Sequence, residues 1–202
     1  MPRIRIHFSK SGYACFISHI DLPMLFGRAA RRAGLMPERT QGFSPHPRLA
    51  LCPPLPVGVI GMREPADFWF EDWDAGAMER WGDCLPSGVD ILDARVADGP
   101  SLNKLCSAAE YLFEPLKGLD PGVIADTLGR FLDANGALLC AEPKGLSALL
   151  SAGDLERCGA SRMVKELTES GLVSGWSDVR VTRTAVGSWS SEEHRVIPLT
   201  ED

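Results

Sequence analysis

The chain has no two cysteines close in sequence. Its six, Cys15, Cys52, Cys84, Cys106, Cys140 and Cys158, stand at least 18 positions apart. That spacing gives no support to a zinc ribbon, a thioredoxin-like redox motif or a local iron–sulfur loop. Most of them have apolar neighbours, as in Leu51-Cys52 and Leu139-Cys140, and are read as small core residues with reduced thiols. Long apolar runs are missing too, which argues against a membrane helix. The start, Met1-Pro-Arg-Ile-Arg-Ile-His7, lacks the basic-then-apolar layout of a signal peptide. A cytoplasmic location and no membrane partner are therefore expected. No aromatic motif of the RNP type occurs, so an RRM is unsupported.

What is present is unevenly spread. The net charge is −6, yet residues 1–50 hold eight Lys/Arg (Arg3, Arg5, Lys10, Arg28, Arg31, Arg32, Arg39, Arg48) against Asp21 and Glu38. Three of the four histidines, His7, His19 and His46, lie in the same stretch. A basic region on an acidic chain points to an anionic ligand such as phosphate, RNA or an acidic protein surface. Pairing between the two parts of the chain explains some of this asymmetry.

Periodicity supplies the architecture. Arg3–Phe8 alternates polar and apolar residues, so it reads as a half-buried strand with Arg3, Arg5 and His7 on its polar face. Tyr13–Ile17 reads as a short strand. A helix is expected from about Asp21 to Ala33, capped by Ser18 or Asp21, with Pro23 in its first turn and Gly34 at its end. Its last turn is crowded with Arg28, Arg31 and Arg32. The helix dipole accounts for one or two cations there, not for three. Gly42-Phe-Ser-Pro-His-Pro47 reads as a stiff loop, because proline fixes its own φ and restricts the residue before it. Strands at 48–52, 67–71 and 89–96 and a helix at 75–85 complete a strand–helix–strand–strand–helix–strand series. That series is the ferredoxin-like split βαβ pattern. After a boundary at Asp98-Gly-Pro-Ser101, a second series follows: strand 110–114, helix 121–134 behind an Asp120 cap, strand 137–141, an apolar turn at 146–150, helix 155–170 and strand 179–186. The fold expected is α+β, with two tandem ferredoxin-like halves at 1–97 and 102–186 and a loose polar tail at 187–202.

Three chemistries are weighed on these residues. Ser18, His19 and Asp21 are close in sequence, but neighbours rarely converge as a triad, and capping accounts for Ser18 and Asp21. His19, His46 and Asp21 would make a two-histidine, one-carboxylate metal site if they met at one point, and His7 is a further candidate ligand. Binding of an anion or RNA fits best: Arg3, Arg5, Lys10, Arg28, Arg31, Arg32, His46 and Arg48 supply charge, and Phe43 and Tyr13 offer rings for stacking. No resident cofactor is expected.

Four segments taken together, Phe16-Ile-Ser-His-Ile-Asp21, Arg28-Ala-Ala-Arg-Arg-Ala-Gly34, Gly42-Phe-Ser-Pro-His-Pro-Arg48 and Pro54-Leu-Pro-Val-Gly58, closely resemble the radical-SAM-linked protein family. The resemblance covers residues 1 to about 72. It continues to about 186, where Val181-Thr-Arg-Thr184 looks like that family's closing arginine-containing strand. The family is a bacterial domain of unknown function, found fused to or encoded beside radical SAM proteins with a B12-binding-type domain, often near ribonuclease E/G genes. The resemblance implies an accessory or substrate-presenting role for a radical SAM partner. Without a cluster-binding cysteine motif, this chain is not expected to be the radical SAM enzyme itself. The reading from sequence is an RNA-binding accessory protein. The rivals are a protein–protein adaptor that docks the same loop on an acidic enzyme face, and a metal-dependent enzyme using His19, His46 and Asp21.

Overall fold

Alternation in β1 (Arg3–Lys10) decides what the first half buries. Ile4, Ile6 and Phe8 enter a core with Phe26, Phe68, Phe70 and Trp81. In this computed structural model, which describes residues 1–199, a 3-10 turn (Gly12–Phe16) follows. Next come α1 (Leu22–Arg32), β2 (Leu49–Leu51), β3 (Ile60–Trp69), α2 (Ala77–Gly82) and β4 (Val89–Val96). The second half holds α3 (Leu102–Leu105), β5 (Ala108–Pro115), α4 (Pro121–Ala134), β6 (Leu138–Lys144), β7 (Ser147–Gly153), α5 (Leu155–Cys158), α6 (Ala160–Glu169), β8 (Val179–Ser190) and β9 (Arg195–Pro198).

The described residues thus form a mixed α+β structure with nine strands in one sheet. Its main path runs β4-β1-β3-β8-β5-β7-β6, with β2 on β3 and β9 on β8. Within each half the paired strands are antiparallel. A short parallel pairing joins the halves, Ile60 opposite Thr182 and Gly61 opposite Arg183. There are two main cores; the second is built on Tyr111, Phe113, Leu128, Leu150 and Met163 and takes in Cys52, Leu55 and Val59 from the first half. Among the described residues no helix is long and apolar enough to cross a membrane.

Several elements differ from the sequence expectation. Tyr13–Ile17 is no strand: Gly12 takes φ +53° and opens a 3-10 turn that leaves Tyr13 and Phe16 exposed. The 146–150 turn is the start of β7, paired with β6 through a tight turn at Gly145, whose φ is +61°. The single helix at 155–170 is split at Gly159, whose extended ψ of 174° ends α5 and starts α6. Residues 187–199 differ from the loose tail expected: β8 runs to Ser190 and β9 returns beside it. Gly187 makes that return possible, since a Cβ there would lie 1.9 Å from the Ile197 carbonyl oxygen. The end of the tail, residues 200–202, lies outside the described residues.

The thiols also differ from expectation. Cys52 and Cys106 form a disulfide, while Cys15, Cys84, Cys140 and Cys158 are free. Sequence spacing hid the pair, because the chain between them first builds β3, α2 and β4 before returning.

The polar face of β1 is covered by partners rather than open. His7 lies opposite Asp93 of β4, and its Nδ1 is 2.9 Å from Asp93 Oδ1. Its Nε2 is buried with no hydrogen-bond partner among the described residues. Burial lowers the His7 pKa below the ordinary 6.5, outweighing the opposing pull of Asp93. The unfolded chain therefore takes up the proton first. The stability contributed by neutral His7 is complete above pH 6.5 and is lost as pH falls through the lowered folded pKa. We expect the urea midpoint to decline as the pH falls below 6.5. The decline should be shallower in His7→Gln; equal slopes for variant and wild type would contradict this role.

Candidate nucleic-acid interface

Helix α1 buries Leu22, Phe26, Ala29 and Ala30 and turns Met24, Arg28, Arg31 and Arg32 outward. Pro23 sits in the first turn as expected, but neither Ser18 nor Asp21 caps the helix by side chain. They bond each other instead, Ser18 Oγ donating to Asp21 Oδ2 at 2.6 Å. Gly27 has a packing reason. A Cβ there would lie 2.6 Å from Pro47 Cγ, so its absence lets the stiff loop rest directly on the helix.

That loop is the tip of a hairpin. Arg39 pairs with Pro47 across it, Thr40 N–H donates to the His46 carbonyl at 2.9 Å, and Arg48 N–H to the Glu38 carbonyl at 2.6 Å. Thr40 Oγ1 also lies 3.2 Å from His46 Nδ1. Arg48 Nη1 donates to both Glu38 carboxylate oxygens at 3.0 Å, and its guanidinium lies 4.4 Å from the centroid of the Trp69 ring. The hairpin stem is thus clamped to β3, while Phe43 and His46 stand out in solvent at the tip.

Between hairpin and helix lies a groove of about 340 Å³, lined by Met24, Gly27, Arg28, Arg31, Met36, Pro37, Arg39 and Pro47. The guanidinium groups of Arg28, Arg31 and Arg39 have no hydrogen-bond or ion-pair partner among the described residues. Three unpaired cations around an apolar floor form an anion-attracting surface.

The structure sorts the sequence candidates into two groups. Arg28 and Arg31 face the groove, Arg32 is exposed beside it and donates to the Cys84 carbonyl, and Phe43 and His46 are exposed on the hairpin. Arg48 is half-exposed but already ion-paired. The β1 residues serve the interior. Arg5 is buried and makes a two-bond pair with Asp67 at 2.8 and 3.0 Å. Arg3 donates to the carbonyls of Ala97 and Gly99. Lys10 is fully buried, its ammonium donating to the carbonyls of Cys15 at 3.2 Å and Ile17 at 2.9 Å. These three therefore do not belong to an exposed basic face. Arg39 was missed as a site residue. The signal was present in the Gly/Pro loop itself, which must fold back and so set residue 39 beside residue 47.

A second convergence lies where β3 meets β8. Arg183 on β8 is buried against Glu64 on β3, with Nε donating to Oε1 at 2.9 Å and Nη2 to Oε2, and Nη2 also donates to the Pro53 carbonyl at 3.0 Å. Burial opposes its charge, yet Glu64 and Tyr111 hold its pKa above the ordinary value. Gly61 leaves room for Glu64, whose Cγ would lie 2.7 Å from a Cβ at that position. The Phe16–Asp21 and Pro53–Gly58 segments are thus fixed by Lys10 and Arg183, and Gly58 N–H adds a bond of 2.9 Å to the Cys15 carbonyl. His19 lies beside this network, its pKa lowered by burial and then by Arg183. His19, Asp21 and His46 do not come together: no cluster of three His, Cys, Asp or Glu side chains fit to hold a metal occurs among the described residues.

Comparison with known proteins adds one family. A family model described as an uncharacterized protein conserved in bacteria (DUF2344) matches residues 3–146. A solved structure of an unknown protein from Galdieria sulphuraria aligns over 91% of this chain and 97% of that chain at 13% identity, with a TM-score of 0.29. That score is too low to equate the two folds. No curated protein matches the chain.

Proposed function

This chain belongs to the DUF2344 family of uncharacterized bacterial proteins, and from that premise we propose that it is an accessory protein that binds RNA through α1 and the 38–48 hairpin. The observation that carries the reading is the set of unpaired guanidinium groups of Arg28, Arg31 and Arg39 on one face. Phosphate contacts require such cations, and an exposed ring like that of Phe43 suits an unstacked base. The motif segments that resemble the radical-SAM-linked family support a radical SAM enzyme as the partner it serves. Strand order supports the finer fold reading of two ferredoxin-like halves: in each, the fourth strand of the series lies beside the first.

Binding of a fluorescein-labelled RNA oligonucleotide, followed by anisotropy at low salt, tests this. Arg28→Ala/Arg31→Ala/Arg39→Ala is expected to bind at least ~10-fold more weakly than wild type, with an unchanged melting temperature because those side chains have no partner among the described residues. Absence of binding by wild type would refute the proposal.

The adaptor reading draws on a different observation. Tyr13, Phe16 and Ile20 are 95%, 65% and 86% exposed beside α1, an apolar surface suited to a protein partner. Co-purification of a partner enzyme after nuclease treatment, lost in Tyr13→Ser/Ile20→Ser, would favour it.

A further inference from the structure

We infer that the groove between α1 and the hairpin receives one unpaired nucleotide of single-stranded RNA, its base on Met24, Met36, Pro37 and Pro47 and the adjoining phosphates on Arg28, Arg31 and Arg39. The inference rests on the RNA reading and narrows it. A patch that merely attracted the phosphates of any nucleic acid would need only the cations. Here the cations surround an apolar floor on which Met24 and Met36 stand 56% and 55% exposed. Among the described residues no carboxylate lines the groove, and the nearby Glu38 is held by Arg48. Its volume of about 340 Å³ falls at the small end of the usual range for ligand pockets, roughly 300–1,000 Å³.

A base in a duplex keeps its faces stacked and offers a protein mainly phosphates and groove edges, so the apolar floor would have nothing to contact. An unpaired base offers both faces. Methionine suits this task because its flexible, polarizable thioether adapts to a ring without demanding one base identity. The floor is also fixed in place: Pro47 rests against Gly27, and the hairpin stem is clamped through Glu38, Arg48 and Trp69. A pre-formed groove loses little entropy on binding. Phe43, fully exposed at the hairpin tip beside Gly42 with φ +135°, is placed to stack a neighbouring base.

The test uses a short RNA carrying one 2-aminopurine, single-stranded or annealed to its complement, titrated with wild type and with Met24→Ser/Met36→Ser. Wild type should bind the single strand roughly ten-fold more tightly than the duplex, with a change in 2-aminopurine fluorescence as the base leaves its stack. The methionine variant should lose that preference and the fluorescence change while keeping the salt dependence of binding. Equal affinity for single strand and duplex, or an unaltered preference in the variant, would overturn the inference and leave RNA binding standing. No binding of either form would overturn both.

Discussion

Replacing Arg183 by methionine is expected to destabilise the protein by about 3–5 kcal/mol, because it leaves Glu64 buried without its main counter-charge. Arg183 and Glu64 are 2% and 3% exposed, so water cannot compensate. The loss is compounded at the Pro53 carbonyl, which accepts from the same guanidinium. Lys10 shares the field of Glu64 and holds the effect to that range. The pair lies where β3 meets β8, the parallel contact that joins the two halves of the sheet, so unfolding should remain one transition in wild type and broaden in the variant. Glu64→Leu/Arg183→Met removes both charges and should cost less than the sum of the single changes. Urea denaturation of the four proteins decides the matter. A loss below ~1 kcal/mol in Arg183→Met, the range of an exposed pair, would show that the pair is not buried in solution.

Reduction of the Cys52–Cys106 bond is the second large effect. It joins the end of β2 to the end of α3 across a sequence separation of 54. On the chain-entropy account, closing a loop of that length contributes about 4 kcal/mol, a fall in melting temperature of roughly 10 °C when it is opened. Cys52→Ala should melt like the reduced wild type. Thiol titration in denaturant supplies the control: four thiols for the bridged chain, all six if no bond forms. An unchanged melting temperature on reduction of a protein shown to be bridged would contradict the prediction.

Both effects act through contacts between distant segments, and that is also where legibility in the sequence stopped. The α4 start was legible because its signal is local: Asp120 accepts from Gly122 N–H at 2.8 Å with Pro121 behind it. The apolar side of β1 was legible for the same reason, since alternation needs no partner. What covers the other side was not. Arg5 finds Asp67 and His7 finds Asp93 only because β3 and β4 arrive in that register. The early part of β3 was missed because Gly61 and Pro65 interrupt its strand character, although Gly61 is there to admit Glu64. In the candidate interface, the arginines of α1 and the stiffness of the Gly42–Pro47 loop could be read from residue type and spacing. That the loop folds back on α1, bringing Arg39 and Met36 to Arg28, depends on the Gly27–Pro47 contact, which no short-range pattern encodes.

The central claim is that Arg28, Arg31 and Arg39 meet RNA phosphates. Its most direct test is the affinity of wild type and of the triple alanine variant for one RNA oligonucleotide across a series of salt concentrations. Each phosphate contact on a single strand contributes about 0.7 to the slope of log affinity against log salt, so loss of three contacts should flatten the slope by about 2. Weaker binding with an unchanged slope would mean that these arginines do not touch phosphates, and the account of this face as a nucleic-acid interface would fail.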